Sequence, residues 1–280
     1  MIEQKWDHLK ALLQDMQSAV LAYSGGVDSS LLLRAAAEVM APRLIVVTAV
    51  SETYPASELF SAKEFVRSLS VVHRILTTEE LSSEEFVRNT PERCYHCKKE
   101  LYAKLRRMAE AEGIAEVIEG SNTDDMRDYR PGRRAAKEFF VRSPLMEAGL
   151  SKGEVRELAH RLNLPMWDKP SLACLSSRIP YGTRVTSGLL RTIQAAEDQL
   201  RVLGFRQARV RHHGATARIE IERSEFKRLL DDEISGQIVA ALKRLGYTYV
   251  CLDLEGYRTG SMNEGLDIRS QTSEVRSQKI

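Results

Sequence analysis

The chain has 280 residues, 43% hydrophobic and 29% charged, and 41 basic against 39 acidic side chains leave a formal charge of +2. That balance belongs to a globular protein with room for one large core or two modest ones, and it excludes a disordered chain or a polybasic nucleic-acid binder. Four cysteines are too few for a disulfide scaffold, the first ten residues carry no signal-peptide pattern and no apolar run could span a bilayer, so the expectation is a cytoplasmic protein with no membrane partner.

Short apolar runs at 18–23, 43–50, 71–76 and 115–119 read as strands, and the stretches 29–40, 55–69 and 97–112 as helices between them. The alternation predicts an α/β fold, a parallel sheet flanked by helices, with ligands at the carboxyl ends of the strands. Ser151 and Glu154 stand at capping-box spacing before a helix at 152–162 that ends ahead of Pro165. Residues 165–188, with Pro165, Pro170 and Pro180, break this rhythm as a linker or a functional loop. A helix (189–203), two strands (207–212, 216–221), helices near 224–231 and 234–245 and a strand (247–252) then describe a small α+β domain. The expected division is 1–180, 181–260 and a mobile polar tail over 261–280.

Between the first strand and its helix lies Ser24-Gly25-Gly26-Val27-Asp28-Ser29. Backbone N–H groups converge in such a turn, and the helix N-terminus adds positive potential, so the segment is an anion site. A Walker loop would close in Gly-Lys-Ser/Thr, and this turn has no lysine. An ordinary strand-to-helix turn is the bland alternative. The hexapeptide resembles the SGGxDS loop of the N-type ATP pyrophosphatases (the PP-loop superfamily), which cleave ATP between the α and β phosphates and adenylate a substrate. The resemblance implies that Gly25 and Gly26 let the backbone close on pyrophosphate, that Ser24 and Ser29 donate hydroxyls, and that Asp28 holds Mg²⁺. Thr48, Ala49 and Val50, after the second strand, would meet adenine through backbone groups. Gly120, Ser121 and Asn122 follow a further strand where nucleotide contacts are expected, and Asp125 is either a second Mg²⁺ contact or a cap beside Asp124.

Cys94 and Cys97 form a CxxC at the head of the helix in TPERCYHCKKELYAKL, and Cys174 lies far off in PSLACLSSRIPYG. A lone CxxC reads as a zinc half-site or a redox pair, but the second CxxC of a structural zinc site is missing. Three cysteines suffice to hold a four-iron, four-sulfur (4Fe-4S) cluster and leave one iron without a protein ligand. Cys174, close in sequence to Ser176, Ser177 and Arg178, is equally a reactive thiolate or a small buried hydrophobe. Cys251 falls in a strand pattern and reads as core packing.

The segments EGSNTDDMRDYRPGRRAAKE (119–138) and PSLACLSSRIPYGTRVT (170–186), with the SGGVDSS loop, resemble one family, the ATP-dependent sulfur transferases of nickel-pincer nucleotide biosynthesis (the LarE family). The resemblance implies adenylation of the carboxylates of pyridinium-3,5-biscarboxylic acid mononucleotide, a small nicotinate-derived nucleotide, and replacement of oxygen by sulfur. Cys174 matches the family's nucleophile, whose thioester would break to leave dehydroalanine on the protein. Members with three such cysteines use a 4Fe-4S cluster, here on Cys94, Cys97 and Cys174, and an additional sulfide as donor; this version is favoured. Arg209 and Arg211 alternate in ARVRHHG, a pattern that alone describes a solvated face; the resemblance makes them ligands of the substrate phosphate. Glu197, Asp198 and Glu220 are candidates to line the same site, and Arg130, Arg133 and Arg134 are candidate phosphate contacts, with plain surface charge as the alternative for one or two of them. His212 and His213 lack metal-ligand spacing and read as structural. Family members assemble as hexamers, which implies a homo-oligomer. A PP-loop tRNA thiolation enzyme is the alternative, disfavoured by the weak net charge and the absence of a visible RNA-binding module. A non-catalytic ATP or iron–sulfur carrier leaves Cys174 unexplained.

Overall fold

Strands apolar on both faces need helices above and below them. In the computed structural model, which describes residues 2–54, 56–126, 131–169, 173–258 and 260–263, the chain forms two compact units, residues 1–174 with 181–187 and residues 175–180 with 188–280. Arg130, Pro170 and the chain beyond 263 lie outside the described residues.

The first unit runs α1 (Ile2–Asp15), β1 (Ala19–Ala22), α2 (Val27–Met40), β2 (Leu44–Val50), α3 (Ala56–Ser68), β3 (Val72–Thr77), α4 (Glu84–Val87), α5 (Arg93–Ala111), β4 (Glu116–Ile118), α6 (Gly132–Glu138), β5 (Val141–Arg142), α7 (Pro144–Glu147) and α8 (Lys152–Arg161). Its five strands pair in parallel in the order β3-β2-β1-β4-β5, with Val20 opposite both Ile45 and Val117. The pleat sends Leu21 and Val46 into one core with Leu31, Leu32 and Leu33 of α2, and Val20 and Val47 into another with Tyr102 and Leu105 of α5. The expected α/β sheet flanked by helices is the fold observed.

Helix α1 was not legible as a helix from its polar composition, yet Leu9 and Leu13 are fully buried and Ile2 and Trp6 pack against the same core. Positions 2, 6, 9 and 13 form a helical stripe that the intervening charges obscure. The chain runs outward from β1 through β2 to β3, and β4 then pairs on the other side of β1. The strand order therefore reverses between β1 and β4, and a crevice opens at their carboxyl ends.

The second unit contains α9 (Ser187–Val202, from Gly188 onward), β6 (Ala208–His213), β7 (Thr216–Ile221), α10 (Phe226–Leu229), α11 (Asp232–Arg244) and β8 (Tyr249–Leu252). β6 and β7 are antiparallel, β8 joins β7 in parallel, and Leu200, Phe205, Val210, Ile219 and Leu242 fill the core beneath. Cys251 is exposed on the edge strand β8, so the core role expected of it is corrected. Val250 and Leu252 pack against that core, so the alternation of the strand turns Cys251 to the opposite face. Ser261 is buried, and its hydroxyl donates to Glu220 Oε1 at 2.7 Å. Among the described residues no helix is long and apolar enough to cross a membrane.

Candidate functional site

The phosphate loop lies at the reversal point. Gly25 has φ +75°, a left-handed conformation in which a side chain is strained. Ser24 Oγ and Ser29 Oγ stand 3.1 Å apart, the Gly26 N–H points at Ser24 Oγ (3.4 Å), and Ser29 Oγ donates to the Gly26 carbonyl (3.1 Å). Gly26 is the N-cap of α2 and supplies no side-chain cap, so the helix opens toward the loop with its first N–H groups uncapped by a side chain there. The Tyr54 hydroxyl, which sequence reasoning passed over, donates to the Ser24 carbonyl at 3.1 Å; burial and then Glu58 push its acidity well beyond reach.

The loop after β4 meets this turn closely. A Cβ on Gly120 would lie 2.8 Å from Ser29 N, so the two backbones touch only because position 120 has no side chain. Asn122 is buried and its amide donates to Asp28 Oδ1 at 3.0 Å. Asp125 Oδ2 accepts the Asn122 N–H at 3.0 Å and shapes the turn that presents Asn122. Lys152, at the start of α8, puts its ammonium on Asp28 Oδ2, and its backbone N–H donates to Asp124 Oδ2 at 2.9 Å. Sequence reasoning saw only the cap there: Ser151 and Glu154 do form the capping box, and Lys5 pins Glu154 at 2.7 Å. Ala49 is half-buried near the carboxyl end of β2, while Thr48 is buried with Oγ1 2.9 Å from His73 Nε2.

α5 starts at Arg93, which places Cys94 in its first turn and Cys97 one turn later on the same side. Cys94 and Cys174 are exposed, and Cys97 is half-buried with Sγ 3.6 Å from Glu80 Oε1. Burial first, then the charge of Glu80 and the nearby Cys174 and Cys94, push the Cys97 thiol well up. The three thiols therefore share one electrostatic neighbourhood. Among the described residues no group of three His, Cys, Asp or Glu side chains is placed to hold a metal ion. Arg134 lies 3.8 Å over the Tyr95 ring and pairs with Glu92, so its charge is committed on the surface.

In the second unit the alternating arginines are not a solvated face. Arg209 and Arg211 are 8% and 6% exposed, on one side of β6. Arg211 donates to Glu220 Oε2 (2.7 Å) and the Ser177 carbonyl (3.1 Å), and its buried Nε has no partner among the described residues. Arg178, 2% exposed, pairs with Glu197 at 2.8 and 3.1 Å, and Glu197 also accepts the Val210 N–H. Burial and then the charges of Arg178 and Arg211 press the Arg209 guanidinium below its ordinary range, partly offset by Glu197. Glu197 and Glu220 do line this cluster, whereas Asp198 turns to Gln194 and Arg201 on the outside of α9. His212 packs its ring on Tyr247.

A parallel sheet whose first strand feeds a serine–glycine loop at the point of strand reversal defines a PP-loop α/β fold of the asparagine synthase kind. The asparagine synthase family model matches residues 10–110, which carry that loop and the first two cysteines. The chain is 39% identical over 266 residues to the pyridinium-3,5-bisthiocarboxylic acid mononucleotide synthase of Lactiplantibacillus plantarum, covering 92% of this chain and 93% of that one. It is 41% identical to an uncharacterized protein of Synechocystis (95% and 99% covered) and 31% identical to one of Methanocaldococcus jannaschii (86% and 90%). The chain belongs to the family of the Lactiplantibacillus synthase and is an ATP-dependent enzyme.

Proposed function

We propose that this enzyme inserts sulfur into pyridinium-3,5-biscarboxylic acid mononucleotide, giving the bisthiocarboxylic acid mononucleotide from which a nickel-pincer cofactor is built. The observation that carries the reading is kinship along nearly the whole chain to a synthase of that product. The first unit supplies the ATP site: polyphosphate on Ser24, Gly25, Gly26 and Ser29, Mg²⁺ on Asp28, adenine beside Ala49, and Gly120, Asn122 and Asp125 closing the other side. A carboxylate is a poor electrophile because oxide is its leaving group. Its oxygen attacks the α-phosphorus, the α–β bond breaks, and pyrophosphate leaves with the electron pair into the loop. A sulfur nucleophile then attacks the acyl carbon, and AMP departs with that oxygen.

The second unit holds the substrate phosphate. Three buried arginines (Arg178, Arg209, Arg211) face two buried carboxylates (Glu197, Glu220) among the described residues, and the buried Nε of Arg211 is a donor in want of an acceptor. A phosphate dianion answers both. By resemblance alone, Cys94, Cys97 and Cys174 would hold a 4Fe-4S cluster, which would supply sulfide at the iron they leave open; among the described residues the three side chains are not placed as a metal-binding group. The Cys97 thiol, pushed up by burial and then by Glu80, would have to lose its proton to ligate iron. The exposure of Cys174 favours a second reading: its thiolate forms the thioester, a base removes its Cα proton, and the Cβ–S bond breaks to leave dehydroalanine and a thiocarboxylate. The proposal includes a cytoplasmic homo-oligomer, a hexamer by resemblance.

Iron and acid-labile sulfide in protein purified without oxygen decide the donor. The cluster reading expects about four of each per chain, lost on Cys94→Ala, Cys97→Ala or Cys174→Ala. No iron after reconstitution, with dehydroalanine at position 174 after turnover, establishes the sacrificial reading instead.

A further inference from the structure

Cys174 lies far along the chain from Cys94 and Cys97, yet the head of α5 grips the segment that follows it. Arg93, the neighbour of Cys94, is 4% exposed; its guanidinium donates to Asn89 Oδ1 and lies 5.7 Å from the centroid of the Tyr181 ring. Asn89 is fully buried and holds φ +56°, the left-handed conformation that asparagine tolerates just past a helix end, here that of α4. From there it takes hold of the other segment twice. Its carbonyl accepts the Gly182 N–H at 3.0 Å, and its side-chain amide donates to the Thr183 carbonyl at 2.9 Å. The Val185 N–H donates to the Val87 carbonyl at 2.9 Å, and Arg184 forks onto Glu84 at 2.8 and 2.9 Å. On the upstream side of Cys174, Arg156 donates to the carbonyls of Trp167 (3.3 Å) and Lys169 (3.1 Å), and Lys169 pairs with Glu58. Cys174 and residues 181–187 belong to the same compact unit.

We infer that Asn89 and Arg93 are positioning residues that pin the Cys174 segment to the head of α5 and so set the separation of Cys174 from Cys94 and Cys97. The inference rests on Cys174 as the sulfur-bearing residue of the proposed function, in either version of the donor. Neither residue touches the reacting atoms; both act through the segment they hold. The charge of Cys174 and Cys94 is felt at the Cys97 thiol, which agrees with a short separation. A planar guanidinium suits the task, because it fills a fixed donor geometry toward Asn89 and lies on an aromatic ring at once, which an ammonium does not reproduce. The ties run between α4, the turn into α5 and residues 181–185, outside the loop Ser24 to Ser29, so adenylation does not depend on them. Sulfur transfer does. The attacking sulfur must stand about 3–3.5 Å from the acyl carbon, and a displacement of about 1 Å costs about 100-fold in rate. With the clamp loosened, water takes the acyl-adenylate first, releasing AMP and returning the carboxylate, and ATP is consumed without sulfur being moved.

The test compares the full chain as wild type, Asn89→Gly, Arg93→Gln and Arg93→Lys. Asn89→Gly keeps the left-handed backbone and removes only the side-chain ties. On protein freed of metal by a chelator, diamide takes two electrons and two protons from a pair of thiols, and peptide mass reads how fast Cys174 joins Cys94 or Cys97. Asn89→Gly and Arg93→Gln should slow that disulfide about tenfold, with Arg93→Lys between them and wild type, while iodoacetamide alkylates Cys174 at the wild-type rate in all four. Wild-type disulfide rates in both Asn89→Gly and Arg93→Gln, or a wild type that forms no such disulfide, would overturn the inference. In turnover with ATP, Mg²⁺ and the mononucleotide, the same two variants should release several pyrophosphates for each sulfur inserted, against one for wild type. Both products reduced alike, at an unchanged ratio, would make the pair a support of the fold alone and overturn the inference as well. A wild type that inserts no sulfur would overturn the sulfur-insertion reading, and the disulfide rates would then decide the positioning by themselves.

Discussion

A methyl group at position 120 would fall 2.8 Å from Ser29 N and 3.0 Å from Ser29 Cα, inside contact distance of backbone that cannot swing aside. Gly120→Ala should cost about 1–3 kcal/mol of stability through overpacking and lower ATP affinity by about tenfold or more. Thermal melting and ATP titration of that variant check both, and unchanged ATP binding would contradict the account of the crevice. The hexapeptide Ser24 to Ser29 was legible from the sequence because turn, hydroxyls and carboxylate are contiguous. Lys152 and Tyr54 were not, because they reach the loop from other elements and each has an ordinary local explanation. Arg209 and Arg211 show the same limit: alternation tells which face they share, and only packing tells that the face is buried.

At the scale of elements, α8 is held by a cap that the sequence announced. Removing it with Ser151→Ala should cost about 1 kcal/mol, a fall in melting temperature of about 2–4 °C for a unit of this size. A melt identical to wild type would show that the box contributes nothing. Strands β1 to β4 and helices α2, α3, α5 and α8 were read within a few residues of their ends, since continuous apolar runs and glycine or proline punctuation mark them. α1 escaped because charges interrupt its stripe, and the two-residue β5 is too short to carry a period at all. The head of α5 lay four residues earlier than read, which moves the CxxC from the helix entrance into its first turns.

At the scale of the molecule, the second unit is organised around buried charge. Burial pushes the Glu197 carboxyl up, but Arg178 by charge and hydrogen bond, helped by Arg209 and the Val210 N–H, holds it below the ordinary 4.5. A carboxylate lowered on folding stabilises the fold in full above its unfolded value and loses that contribution as pH falls through the folded one. Stability should therefore be flat above about pH 5 from this source and drop in the acid range below it. Glu197→Gln should remove that acid dependence and cost about 3–5 kcal/mol at neutral pH, as a buried arginine loses its carboxylate. Acid unfolding of wild type and variant followed by near-ultraviolet circular dichroism reads both effects, and an unchanged acid limb in the variant would contradict them.

The central claim is that ATP cleavage between the α and β phosphates drives sulfur into a pyridinium dicarboxylate. The most direct measurement is mass spectrometry of the mononucleotide after incubation with the enzyme, ATP and Mg²⁺ without oxygen, with pyrophosphate counted in the same reaction. The account predicts one oxygen exchanged for one sulfur at each carboxylate, with one pyrophosphate and one AMP formed per exchange. A mononucleotide of unchanged mass, with no pyrophosphate released by cluster-loaded or freshly made protein, would contradict it.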